Sequence, residues 1–258
     1  MTVYAGQGSM ALLWRAGSEP RAKPGPKPGL SVDLIVDTAI AVADEVGMAA
    51  LSMRTVGERL GRTAMALYTY VPNKGELVDL MYDRALAQLP TGYDLSDGWR
   101  AALTRWAGDS CDFHVRHPWV LQVSQARPVL GPNEFAMLDT LARILAATGL
   151  PPQVLRGIVP ALFDVVRGAA RTIAEARQAP SQTGMSDEEW WQARSTLLLQ
   201  VAPDFAERFP MAHWLESGGG EASPPPDAGE PYLERAARQA FRSGLTVLLD
   251  GIEAAGAA

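Results

Sequence analysis

LSMRTVGERLGRTAMALYTYVPNKGEL, residues 51–77, decides how this chain is read. It parses as two short helices joined by a tight turn and followed at once by a third, capped helix. Val56, Leu60 and Leu67 are the apolar positions through which the first two helices can pack. Gly61 follows Leu60, where the first helix must stop and a left-handed backbone costs glycine least. Ser52 is placed to cap the first helix and Thr63 the second. Gly57 lies mid-helix, at a cost of about 1 kcal/mol against alanine, which a close approach of the second helix would offset. Spacing alone also admits an ordinary helical hairpin.

The residues after the turn favour a helix-turn-helix DNA reader over that hairpin. Tyr68, Thr69 and Tyr70 cluster hydroxyls at the end of the second helix, and Pro72 breaks the chain. Asn73 then caps a new helix, with Glu76 three residues on as in a capping box. Lys74 opens that helix, an unfavourable place for a cation in the helix dipole. A phosphate there would face both the lysine and the free amides, whereas the simpler alternative is a solvated lysine.

Charge is distributed accordingly. The 258 residues carry a net charge of −6, yet residues 1–89 hold 9 basic and 9 acidic side chains, so the whole excess falls in residues 90–258. All three lysines, Lys23, Lys27 and Lys74, lie in the first part, and Arg54, Arg59, Arg62 and Lys74 face only Glu58 within residues 46–75. Positive charge thus sits where a DNA reader needs it. Cys111 is the single cysteine, which excludes an internal disulfide or a cysteine metal cage and suits a reduced, cytoplasmic setting. No stretch approaches the roughly 20 apolar residues of a membrane span.

Residues 31–89 resemble the DNA-binding domain of the tetracycline-repressor (TetR) family of bacterial regulators. The resemblance rests on LSMRTVGERLG and, more specifically, on LYTYVPNKGELV. It implies that the helix over residues 63–70 enters the major groove. Arg54, Ala64 and Met65 would then face base edges of an operator in double-stranded DNA, and Thr63, Tyr68, Tyr70 and Lys74 would hold phosphates, with Thr69 in the same hydroxyl cluster. One departure is Arg62, where the family has an apolar residue. Its stem can still pack while its head reaches a phosphate. In the tetracycline-binding members a histidine stands four residues before an Arg-Pro pair. Here the pair is Arg127-Pro128 and the matching residue is Val123, which disfavours a tetracycline-magnesium ligand.

The chain reads as all-α in three parts: a flexible basic arm (1–30), the helix-turn-helix domain (31–89), and a larger helical effector-binding and dimerisation domain (90–258). RAKPGPKPG in the arm cannot be helical, and its cations suit phosphates or the minor groove, or else a disordered leader. Ser31 caps a helix whose buried side includes Leu34, Ile35, Ala39, Val42 and Val46. A helix follows over about 74–89, then helices near 97–117, 133–148, 151–178, 186–201 and 232–254. SGGGEASPPPDAGEP interrupts the last two as a mobile loop.

Two helical stripes in the third part suggest a four-helix dimer interface, in which Ala169, Ala170, Phe241, Gly244, Leu245 and Leu248 meet a second copy. The same stripes could instead pack within one chain. The resemblance implies the homodimer, as does the need to space two readers one DNA turn apart, about 34–36 Å. Trp106, Phe113, His117, Met137, Phe163 and Arg167 are candidates for an apolar cavity around a small-molecule effector. Arg167 and Arg171, one turn apart, either select an anionic ligand or pair with acids such as Asp164. His114 and His117 are three apart but lack a third metal ligand, so no metal or cofactor is expected.

No nucleophile elbow or phosphate loop is present, so an enzyme is disfavoured. The expected function is a ligand-responsive repressor that releases a palindromic operator when a small apolar molecule binds. The alternatives are a helical interaction module and an activator without small-molecule induction.

Overall fold

A short polar side chain starts each helix of the reader. The computed structural model describes residues 7–15, 29–217 and 231–256. Its first helix is α1 (Gln7–Leu13). Ser31 Oγ accepts from the Leu34 amide and opens α2 (Val32–Val46). Ser52 does the same for α3 (Met53–Leu60), Thr63 for α4 (Ala64–Tyr68) and Asn73 for α5 (Lys74–Leu86). The remaining helices are α6 (Gly98–Arg116), α7 (Pro132–Ala146), α8 (Pro152–Thr183), α9 (Asp187–Val201), α10 (Phe205–Arg208), α11 (Pro210–Ser217) and α12 (Tyr232–Gly256), with a 3₁₀ turn at Pro118–Gln122 between α6 and α7. No strand occurs among the described residues. Pro160 does not interrupt α8, and α10 and α11 were not anticipated from the sequence.

Contacts group residues 1–171 and 245–258 into one compact unit and residues 172–244 into another. In the first unit Ile35, Val36, Ala39 and Val42 of α2 pack with Val56, Leu67, Leu77 and Met81. The same apolar cluster continues into Phe113 and Trp119, beyond the expected domain boundary at residue 89. Arg84 of α5 donates to both oxygens of Asp37 on α2, at 3.1 and 3.2 Å. Leu34 and Val46, expected on the buried side of α2, are exposed instead. They lie at its two ends, where the stripe runs past its neighbours.

Part of the arm departs from the flexible reading. α1 packs on α5: Ser9 Oγ donates to Asp79 at 2.9 Å, and Gly8 lies so close to the Glu76 carboxylate that a Cβ would overlap it. Trp14 then donates from Nε1 to the Leu130 carbonyl at 2.8 Å and lies against Phe135. Seven residues make a marginal helix in isolation, and these tertiary contacts hold it. The rest of the expected arm, residues 1–6 and 16–28 with Arg21, Lys23 and Lys27, lies outside the described residues, as do residues 218–230 of the expected mobile loop.

In the second unit Ser186 and Glu189 form a reciprocal capping box on α9. The buried Glu234 carboxylate accepts from Arg177 at 2.7 and 2.8 Å and from Arg238 at 3.0 Å. These cations hold its pKa below the usual carboxylate range, the Arg177 hydrogen bond chiefly.

Candidate nucleic-acid interface and ligand cavity

The helix-turn-helix is built by two close approaches. Gly61 adopts φ 64°, ψ 35°, which lets the chain turn directly out of α3. Gly57 lies against the turn: a Cβ there would sit 2.8 Å from the Arg62 carbonyl oxygen. Val56 and Leu67, both fully buried, fasten α3 and α4 to the core.

The residues expected to read DNA are left free of that core. Met65 is 74% exposed, Tyr68 43% and Tyr70 38%. Arg54, Arg62, Thr63, Thr69 and Lys74 are exposed as well, and Ala64 is half-buried. Arg54 donates to Glu58 at 2.8 Å along α3, an exposed pair that costs little to exchange for a phosphate or base. Lys74 Nζ donates to the Met48 carbonyl at 3.4 Å. The expected capping box on α5 takes a different form: Asn73 Oδ1 accepts from the Glu76 amide, but Glu76 Oε1 accepts from the Asn73 side-chain amide rather than from its backbone.

A cavity of about 230 Å³ lies in the first unit. Tyr82 and Leu86 of α5 form one wall and His114 of α6 another. Glu134, Phe135, Met137 and Leu138 come from α7, Phe163 and Arg167 from α8, and Gln125, Pro128 and Leu130 from the connecting loop. Met137, Phe163 and Arg167 were expected on this wall; the other three candidates lie elsewhere. Trp106 is buried edge-on against Phe163, outside the lining. Phe113 belongs to the reader's apolar cluster. His117 forms a polar joint: its Nδ1 meets Asp44 Oδ1 at 2.7 Å and its Nε2 meets Gln88 Oε1 at 3.1 Å. Asp44 also accepts from Trp119 Nε1 at 2.8 Å, so α2 is tied to the end of α6. Trp106 and Phe113 lie on α6 and His117 just past its end, and none of the three is among the lining residues.

His114 and His117 therefore serve different partners and do not converge. Among the described residues no group of three His, Cys, Asp or Glu could hold a metal ion. His114 Nδ1 lies 2.7 Å from the Ser110 carbonyl. A carbonyl only accepts, so Nδ1 carries the proton. Burial pushes the His114 pKa down to about 4, with smaller contributions from the charges of Arg167 and His117. The ring is therefore neutral at pH 7, and Nε2 is the one polar atom it can offer.

α5 is fastened to the cavity wall by a buried carboxylate. Asp83 Oδ1 accepts from the amides of Asn133 and Glu134 at 2.9 and 3.0 Å, and Oδ2 accepts from the Asn133 side chain at 2.8 Å. An anion at the N-terminus of α7 satisfies its free amides and its dipole. Gly131 allows the approach, since a Cβ would overlap Asp83.

The residues expected on the dimer stripe differ in their burial within one chain. Ala170 and Leu245 are buried within one copy. Ala169, Phe241 and Leu248 are half-buried, and Gly244 is exposed. On the adjacent edge of α12, Val247 is 71% exposed.

Residues 35–81 match the family described as bacterial regulatory proteins, tetR family, and residues 91–255 match the tetracyclin repressor-like C-terminal domain. The chain belongs to the TetR family. It is a DNA-binding transcriptional regulator, not an enzyme. Among its relatives, the HTH-type transcriptional repressor DrrR1 of Streptomyces coeruleorubidus is 37% identical over 257 residues, covering 98% of this chain and 88% of that protein. Apo ActR from Streptomyces coelicolor has a similar fold, with a TM-score of 0.67 at 21% identity over 89% of this chain and 99% of ActR. BioQ, solved with its double-stranded DNA operator, gives a TM-score of 0.56 at 19% identity over 88% and 99%. No described helix of this TetR-family chain is long and apolar enough to cross a membrane.

Proposed function

We propose that this regulator is a ligand-responsive repressor. A homodimer holds two readers on a palindromic operator and releases it when a small, largely apolar molecule occupies the cavity. The observation that carries the reading is α5 itself. Lys74 opens it at the reader, while Tyr82 and Leu86 on the same helix stand in the cavity wall and Asp83 fastens it to α7. Thirteen residues make a rod of about 20 Å, so a displacement at one end is delivered at the other. The cavity, at about 230 Å³, is below the roughly 300–1,000 Å³ of drug-sized ligand sites. A larger occupant widens it and so favours a different conformer, which gives ligand the differential affinity that any population shift requires. The likeness to DrrR1, a repressor, supports the sign of regulation. That ActR has been solved with actinorhodin supports a small-molecule effector.

Arg54, Ala64 and Met65 are assigned to base edges, and Arg62, Thr63, Tyr68, Thr69, Tyr70 and Lys74 to the phosphate backbone. The exposed edge of α12 around Gly244 and Val247 is assigned to the second copy. The test is fluorescence anisotropy with DNA flanking the protein's own gene against scrambled DNA, at two salt concentrations. Wild type should bind the native DNA with steep salt dependence. Lys74→Ala should weaken binding and reduce the salt slope by about one, with the dimer intact by analytical ultracentrifugation. Unchanged operator affinity in both Lys74→Ala and Tyr68→Ala would refute the assignment.

A further inference from the structure

Arg167 is half-buried in the cavity wall, and among the described residues it belongs to no ion pair. After burial, the strongest influence on it is Tyr82 in the same wall; Arg171 adds positive potential, and Asp164 on α8 acts on it only through space. Burial lowers its pKa without neutralising it, because a guanidinium stays protonated in proteins. A partly desolvated cation is costly unless an anion meets it. Glu134, on the same wall, does not fill that role: its Oε2 accepts from the Leu130 amide at 2.6 Å and is committed to the loop. The neutral His114 also lines the cavity, and its remaining polar atom is the Nε2 acceptor.

We infer that the effector is an apolar acid: a mostly hydrocarbon molecule whose anionic oxygen is bound by Arg167 and whose hydroxyl donates to His114 Nε2. The inference rests on the cavity being the effector site. Leu86, Met137, Phe163 and Leu138 accommodate the hydrocarbon body. Arg167 supplies a charge-assisted hydrogen bond, the kind that retains its strength where water is excluded. Because His114 offers only an acceptor, a hydroxyl is preferred at that end over a carbonyl.

The test is isothermal titration calorimetry of the full-length protein with four probes: naphthoic acid, hydroxynaphthoic acid, methyl naphthoate and naphthylmethylamine. A charge-assisted bond in a partly buried site favours the acid over its ester by about 10- to 100-fold, and the hydroxy acid binds tighter still. Arg167→Met should abolish the preference for acid while leaving ester binding in place, and Arg167→Lys should keep most of it. Equal binding of acid and ester, or a preference surviving in Arg167→Met, overturns the inference but leaves the cavity as an effector site. Tighter binding of the amine overturns it as well and points to Glu134 as the reading group. Failure of all four probes to bind overturns the inference and the effector site together.

Discussion

Gly57→Ala sets two physical rules against each other in the reader. Helix propensity alone says that alanine at an interior position stabilises by about 1 kcal/mol. The structure says the opposite for this glycine. The added Cβ would lie 2.8 Å from the Arg62 carbonyl oxygen and 3.3 Å from the Ala64 amide nitrogen. Both obstacles are backbone, so no side-chain rotation relieves them. The Arg62 amide is also hydrogen-bonded to the Gly57 carbonyl at 2.8 Å, which holds the turn in place. Overpacking of this kind costs about 1–3 kcal/mol, and an immovable obstacle puts it at the upper end. The net expectation is a loss of about 1–2 kcal/mol, with α4 pushed outward and operator affinity reduced. Urea unfolding measures the first and anisotropy the second. Gly108→Ala is the matched control, because that glycine of α6 has nothing within 4 Å of its added Cβ; there propensity should win and the protein gain about 1 kcal/mol. A Gly57→Ala protein as stable as wild type, with full operator affinity, would refute the close-approach argument.

His114 makes stability depend on acid. Its folded pKa of about 4 lies below the ordinary 6.5, so the unfolded chain binds the extra proton first as pH falls. The stabilisation is complete above pH ~6.5 and is lost toward pH ~4, on the order of 3 kcal/mol in all. Urea titrations across that window should lose this part of the slope in His114→Gln, and an unchanged slope would contradict it. At the joint between α2 and α6, Asp44→Ala strands two buried donors, His117 Nδ1 and Trp119 Nε1. At about 1–2 kcal/mol each, the cost should be about 2–4 kcal/mol, largely recovered in Asp44→Asn, whose amide oxygen still accepts. Thermal unfolding of the two variants checks this, and equal losses in both would show that the acceptor is not what matters.

Local signals carried the reader. Ser31, Ser52, Thr63 and Asn73 cap the helices they precede, and Gly61 turns where a left-handed residue is required, because caps and turns are decided within four or five residues. α1 was illegible for the converse reason. QGSMALL has no cap and is too short to be stable alone; what holds it are Asp79 and Leu130, far away in sequence, through Ser9 and Trp14. The cavity was half legible. Met137, Phe163 and Arg167 occupy helical positions whose periodicity marks an inward face. Periodicity does not say what that face meets, and so it could not separate Phe163 from Phe113 or His114 from His117. Gln125, Pro128 and Leu130 sit on a loop without periodicity, and Tyr82 and Glu134 reach the cavity only through the packing of α5 against α7. The dimer stripe shows the same limit: periodicity does not say that Leu245 and Ala170 are buried within one chain while Gly244 on the same stripe is exposed.

The five residues of α4 divide two burdens between them. Leu67 is fully buried and anchors the helix, whereas Met65 keeps 74% of its surface in solvent and Ala64 carries almost no side chain. A mutation at Leu67 is therefore filtered by folding, while one at Met65 escapes that filter, since exposed substitutions usually fall within about ±0.5 kcal/mol. Duplicated copies of such a gene can diverge at positions 64 and 65 toward new target sites without passing through an unstable intermediate, so the binding preference of a lineage can drift faster than its architecture.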